Sequence, residues 1–393
     1  TLETQGNYNP NYVDYQTQMT WKIGEKAMGQ LGDRAKSWEI MLLGNISQNS
    51  YEFAPESSGT TFGTMDQALE IQKEHIGQEK DLFRTAFAAL SVQHQLTRSI
   101  QLGFNLSGFY THEQETFDID TEYVLSEKPA EDTPSSKQDS EELVTNTSSS
   151  ALGTGHYHEH ARNRLQAGMV TLSHHGQWKS GENTLQWGIS GQMEIINDHI
   201  NEWEWRDSMG YSMPNLPQEM ALYYALKSKT NMYSGRLQAY AQDTYRWHTN
   251  QGQVLLTAGM RLNWWSYTNE ILPSPRLSVA WMPGWKRDFT FRVATGLYYQ
   301  APFYKELRQV VQDDGAVNRI YLNNKLKAQR SWQLVIGTDY YFRAWGRPFK
   351  FTAEAYGKLI DRMESYTVDN VRVRYSGIND SKGYTLGLDL KLM

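Results

Sequence analysis

Apolar and polar residues alternate along this chain with a period of two, and the alternation returns segment after segment. Ile100, Leu102, Phe104 and Leu106 are separated by Gln101, Gly103 and Asn105. Leu185, Trp187, Ile189, Met193 and Ile195 share one parity, and Gln186, Ser190, Gln192 and Glu194 the other. The pattern recurs over 254–264, 291–300, 332–342, 349–359 and 384–392. A period of two places alternate side chains on opposite faces of a β-strand. Several runs reach about ten residues, longer than the ~5–6 of an ordinary globular strand. About 9–11 tilted residues is the length that crosses a bilayer.

The connections alternate too. Short links at 97–99, 179–183, 248–252, 284–287 and 344–347 take turns with long ones near 54–80, 118–160, 205–231 and 303–330. Tight turns at one end and long loops at the other are the layout of an outer-membrane barrel. The spacing therefore predicts an all-β chain, an antiparallel transmembrane β-barrel with short periplasmic turns and long extracellular loops. In hydrocarbon every backbone N–H and C=O needs a partner within the protein, which a closed sheet supplies. A soluble β-sandwich or β-helix is the alternative, but sandwich strands are shorter and their loops lack this one-ended asymmetry.

About thirteen strands are legible, an odd number where single-chain bacterial barrels have an even one. The whole of 1–393 thus reads as a barrel segment, an interior piece of a longer barrel, with no plug domain visible. Residues 126–155, rich in Ser, Glu, Asp and Thr, read as a mobile external loop.

Composition narrows the function. Acidic residues outnumber Lys plus Arg by 44 to 38, so nothing argues for nucleic acid. The 393 residues include no cysteine, which excludes disulfides, thiol catalysis and zinc–thiolate sites. Thirteen Trp and 24 Tyr accompany a negative mean hydropathy, as suits a surface apolar on alternate residues only. Ser173-His174-His175 and Ser180 offer hydroxyl and imidazole groups, but without a Gly-x-Ser-x-Gly elbow or a triad order, and there is no phosphate-binding loop. An enzyme is not expected.

The stretch SPRLSVAWMPGWKRDFTFRVATGLYYQAPFYKELR, from 274 to 308, resembles the late barrel of TonB-dependent outer-membrane transporters. The matching residues run Tyr299-Gln300-Ala301-Pro302-Phe303-Tyr304-Lys305-Glu306-Leu307, with Gln300 where many members carry Arg. Asn324 to Ser331 occupies the place of the family's Asn-Leu-x-Pro-Glu-x-Ser element, with Ala328 and Gln329 replacing Pro and Glu. The strands at 349–370 and 375–392 are similar to the pair that follows.

The resemblance implies a barrel of about 22 strands around an N-terminal plug. It implies active import of a scarce, bulky nutrient (iron chelate, haem, cobalamin, glycan or peptide) across the outer membrane of a Gram-negative bacterium. TonB–ExbB–ExbD would supply the energy through the plug. Outer-membrane lipid, the nutrient and a surface lipoprotein are the other expected partners. The alternative is a non-energised barrel acting as adhesin, binding protein or passive porin.

Under the import reading, the substrate-facing candidates are Tyr298, Gln300, Phe303, Tyr304, Lys305 and Arg308, with Trp203 and Trp205 as a stacking platform or interfacial girdle. The small Ala294 and Gly296 leave room for a plug. His156, His158 and His160 would share one face of a strand and could ligate a metal or haem, the nearby Glu159 pointing the other way. No resident cofactor is expected. Asp118-Ile119-Asp120-Thr121-Glu122 and Asp313-Asp314-Gly315 would suit a loop calcium ion, although they lack EF-hand spacing.

Overall fold

The computed structural model describes residues 6–24, 37–64, 67–127, 151–207, 220–312, 317–369 and 372–393. The chain opens with β1 (Gly6–Ile23), β2 (Ser37–Pro55), the short β3 (Ser58–Thr64) and β4 (Gln67–Gln95). Four tall strands complete the first half: β5 (Ile100–Glu127), β6 (Ala151–Ser180), β7 (Asn183–Arg206) and β8 (Ala221–Thr249). Shorter ones follow: β9 (Gly252–Trp265), β10 (Glu270–Pro283) and β11 (Asp288–Gln300). A compact segment then holds α1 (Tyr304–Leu307), β12 (Arg308–Gln312) and β13 (Val317–Leu322). The chain returns to the wall with β14 (Gln329–Ala344) and β15 (Arg347–Met363), makes the hairpin β16 (Tyr366–Asp369) and β17 (Arg372–Tyr375), and ends in β18 (Ser381–Leu392).

Thirteen of these strands form one antiparallel path in the order β1-β2-β4-β5-β6-β7-β8-β9-β10-β11-β14-β15-β18, matching the expected count. The path is an open wall with β1 and β18 at its edges. Among the described residues no helix is long and apolar enough to cross a membrane. The short links are tight, as expected, for instance at 181–182, 250–251 and 345–346.

Outward-facing side chains show where the membrane lies. On β6 the outward parity reads Trp178, Leu172 and Val170 and then changes to Gln166, Arg164 and Arg162. Val170 and Leu172 are 54% and 59% exposed, and Met193 of β7 reaches 71%. Such a band on a sheet otherwise satisfied by its own ladder is a lipid-facing surface. On β11 the outward set includes Val293 and Leu297, while Arg292 turns inward to Asp339 of β14 (3.3 Å) and Glu354 of β15 (3.2 Å).

Two expectations need correction. Strand length is not limited to the membrane span, since β6 runs 30 residues and β4 and β8 run 29. Much of the ranges 54–80, 118–160 and 205–231 is therefore ordered strand rising above the apolar band rather than loop. On β5 the alternation inverts there, with Phe117, Ile119, Tyr123 and Leu125 inside and Asp118, Asp120 and Glu122 outside. On β6 most residues of both parities are polar, so the pattern of the membrane part does not carry over. The centre of the 126–155 stretch, residues 128–150, lies outside the described residues, as do 208–219 and Asp313-Asp314-Gly315. The second correction concerns 303–330. It folds inward, with β13 pairing in parallel with β8 through Val317–Ala225 and Asn318–Leu226.

Candidate functional site

The inner face of the tall strands carries a ladder of carboxylates. Asp81 of β4 lies directly across from Glu115 of β5, and Glu159 of β6 lies across from Glu204 of β7. Like charges placed opposite each other oppose sheet formation, so the arrangement needs support from its surroundings. Asn163 bridges part of it, donating to Glu115 (3.1 Å) and Glu202 (2.6 Å). Arg206 donates to Glu204 and stacks over the Tyr223 ring at 3.6 Å.

The remaining cost appears as retained protons. Burial, then repulsion from Asp81 and Glu115, pushes Glu79 up to about 7. Burial also raises Asp81, against the Tyr51 hydroxyl that hydrogen-bonds to it. Asp81 is 7% exposed and its Oδ1 has no hydrogen-bond partner. Glu79 can hold and exchange a proton near neutrality, and the exposed Glu115 presents acceptors to any amine or hydroxyl that enters from outside.

Beside the ladder, the segment after β11 is bolted to the inner wall. The Tyr304 hydroxyl meets Thr230 Oγ1 (2.7 Å) and donates to Asp198 Oδ2 (2.8 Å). Arg308 Nη1 donates to the same carboxylate oxygen at 3.3 Å. Leu307 is fully buried against Met232, Trp265 and Leu326. Burial, reinforced by Asp198, raises the Tyr304 phenol far above its usual range. Two of the candidates for cargo contact, Tyr304 and Arg308, are thus anchors of this inward fold. Phe303 and Lys305 are exposed, as is Gln300 at the end of β11.

Tyr298 faces the lumen beneath the Arg276 guanidinium, 4.5 Å from its ring centroid. A Cβ on Gly296 would come within 3.0 Å of the Tyr298 ring and 3.2 Å of Arg276 Cγ. The space that Gly296 leaves is filled by the wall's own side chains. Pro302 is buried just after β11 ends, where pairing stops and its missing N–H costs nothing.

Trp203 and Trp205 do not face the lumen. They share the outward parity of β7, above the apolar band, and stand opposite His160 and His158 of β6. The Trp203 ring meets His160 edge-on, with centroids 3.5 Å apart. On the other side of β6, Asp118, Asp120 and Glu122 of β5 stand opposite His160, His158 and His156. Two stretches singled out separately in the sequence, the alternating histidines and the Asp-x-Asp-x-Glu run, are therefore one outward cluster. His158 Nδ1 lies 2.6 Å from Asp120 Oδ1, and His160 Nδ1 and Arg162 both reach Asp118. Burial works against ionisation of Asp118, but Arg162 and His160 outweigh it and hold its carboxyl below the usual range. His156 is more peripheral, its Nε2 3.6 Å from Asp120 and its Nδ1 3.3 Å from Met220 Sδ.

Sequence reasoning missed the inner carboxylates. The available signal was parity: Glu113 and Glu115 fall on the lumen parity of a strand whose outward residues, Ile100 to Leu106, had already been identified lower down. Ser173 and His174, adjacent in sequence, point to opposite faces of β6.

The family model described as TonB dependent receptor-like, beta-barrel matches residues 35–392. A search of curated proteins found no match. Among solved structures, a mutant of the ferric enterobactin receptor PfeA from Pseudomonas aeruginosa aligns with all of this chain and 60% of its own, at 12% identity and TM-score 0.44. The siderophore receptor PirA from Pseudomonas aeruginosa aligns over 99% of this chain and 64% of its own (12%, TM-score 0.43). The Serratia marcescens hemophore receptor HasR, solved with its hemophore HasA and heme, aligns over 95% and 60% (12%, TM-score 0.38). The chain thus spans roughly 60% of the length of these structures.

Proposed function

The chain belongs to the TonB-dependent receptor-like β-barrel family, and from that premise we propose that it forms the wall of an outer-membrane importer for a scarce, bulky nutrient. Its place is the outer membrane, which it crosses as many β-strands. The supporting observation is the two-faced wall: an apolar band outside, and inside it a charged surface that continues well above the membrane. Cargo is captured among the tall strand extensions and passes down the lumen when a plug is displaced by TonB, with ExbB and ExbD coupling the step to the inner-membrane proton gradient. Capture followed by release requires the wall to bind cargo differently in the two plug states.

The more accessible members of the ladder, Glu115 and Glu159, favour cargo rich in amines or hydroxyls. Among iron chelates, haem, cobalamin, glycans and peptides, that points to glycans or cationic peptides over polyanionic chelates. The test is growth of a deletion strain on single nutrients, with radiolabelled uptake measured with and without TonB. Uptake lost on deletion and restored by the full-length gene only where TonB is present supports energised import. Uptake that survives loss of TonB, or steady ion conductance of the pure protein in planar bilayers, favours the porin or adhesin reading.

A further inference from the structure

The outward cluster on β5 and β6 sits where neither lipid nor lumen explains it. Its residues lie above the membrane band, whose topmost outward apolar residues are Tyr110 on β5 and Val170 on β6, and below the outward Val124 and Leu152 near the strand tops. They face away from the channel, so cargo moving down the lumen does not touch them. Ligand atoms of Asp118, His158 and His160 all lie within 4.8 Å of one another. An ion bound at about 2.1 Å by each of three ligands draws those atoms to roughly 3.4 Å apart, which small side-chain rotations achieve.

We propose that Asp118, His158 and His160 form a divalent transition-metal site on the outer wall, joining β5 to β6 above the membrane. Two imidazole nitrogens and one carboxylate oxygen select a first-row ion such as Zn²⁺ or Ni²⁺ over calcium or magnesium, which take oxygen shells. Three protein ligands leave a position for water. Asp120 is the positioning residue: its carboxylate, 2.6 Å from His158 Nδ1, orients that ring and leaves Nε2 for the ion. Trp203, edge-on to His160, limits that ring's rotation. His156 stands outside the ligand set, one strand repeat further up. Arg162, bound to the second oxygen of Asp118, places a cation beside the ion and weakens its binding. The site ties together two strands on the outer face of their ladder, where Asp118 is exposed to water.

The experiment uses full-length protein, purified without a polyhistidine tag, in detergent micelles. Calorimetric titration with ZnCl₂ is expected to show one ion per chain at micromolar affinity. His160→Ala and Asp118→Asn each weaken it at least tenfold, while His156→Ala leaves it within a factor of two. Arg162→Gln tightens it several-fold. Heat-modifiable gel migration of each variant confirms a folded barrel, so a lost ion is not mistaken for a lost fold. Absence of stoichiometric binding by the wild type overturns the site. So does a His158→Ala/His160→Ala double variant that binds as the wild type does, or a His156→Ala variant as damaged as His160→Ala.

Discussion

Glu79 has an ordinary pKa of 4.5 and is pushed up to about 7 by burial, Asp81 and Glu115. Between those values the folded state holds a proton that the unfolded chain releases, so the folded state is the better proton binder. Glu79 thus contributes stability below pH 4.5, and that contribution fades as pH rises towards and through 7. Thermal melts of the pure protein between pH 5 and 8 should show the melting temperature falling with pH. Glu79→Gln should flatten that slope, and an unchanged slope would assign the dependence to other groups. Tyr304 gives a second test. Tyr304→Phe keeps the ring beside the Met232–Trp265 cluster but removes the hydroxyl shared by Thr230 and Asp198, leaving the buried Asp198 with Arg308. The expected loss is about 1–3 kcal/mol of stability, read from urea unfolding in lipid vesicles. A change in cargo affinity without that loss would mean the hydroxyl contacts cargo instead.

At the scale of one strand, β6 divides into a membrane part and an extension, and the division shows in its outward residues. Leu172 lies within the apolar band and Thr171 faces the lumen. Leu172→Arg should cost roughly 2–4 kcal/mol near the bilayer midplane, whereas Thr171→Arg should be tolerated far better. Urea unfolding of the two variants side by side checks this, and equal penalties would mean the faces are assigned wrongly. β6 was not among the runs read from the sequence: Gly168, His174 and Gly176 interrupt the set formed by Val170, Leu172 and Trp178 in its membrane half, and His156 to Arg164 in the extension is largely polar on both parities. Its strand state depends on β5 and β7 as neighbours on either side, joined by ladders that continue past Arg162. The inward fold of 303–322 escaped the sequence for a similar reason. Its burial rests on Leu307 meeting Met232 and Trp265, which are far away in the chain.

For the whole molecule, the orientation can be measured directly because the chain has no cysteine. Gln72→Cys, on the exposed outward face of the β4 extension, should react with a membrane-impermeant maleimide on intact cells. Glu182→Cys, in the tight turn between β6 and β7, should react only after the outer membrane is permeabilised. The reverse labelling pattern would invert the wall and with it the direction of capture.

The sequence alone determined the membrane wall: its period, its thirteen crossings, its tight turns and the family resemblance in Tyr299 to Leu307. Those features are local, since alternate side chains take opposite faces whatever strand lies alongside. Only the tertiary structure decided the chemistry. Asp118 and His160 stand side by side because the register counted up from the Ile100–Trp178 pair puts them there, and Asp81 meets Glu115 through the same kind of register between β4 and β5. A ladder shifted by one residue would send each partner to the opposite face. Register is a property of two paired strands, which no single run of residues contains.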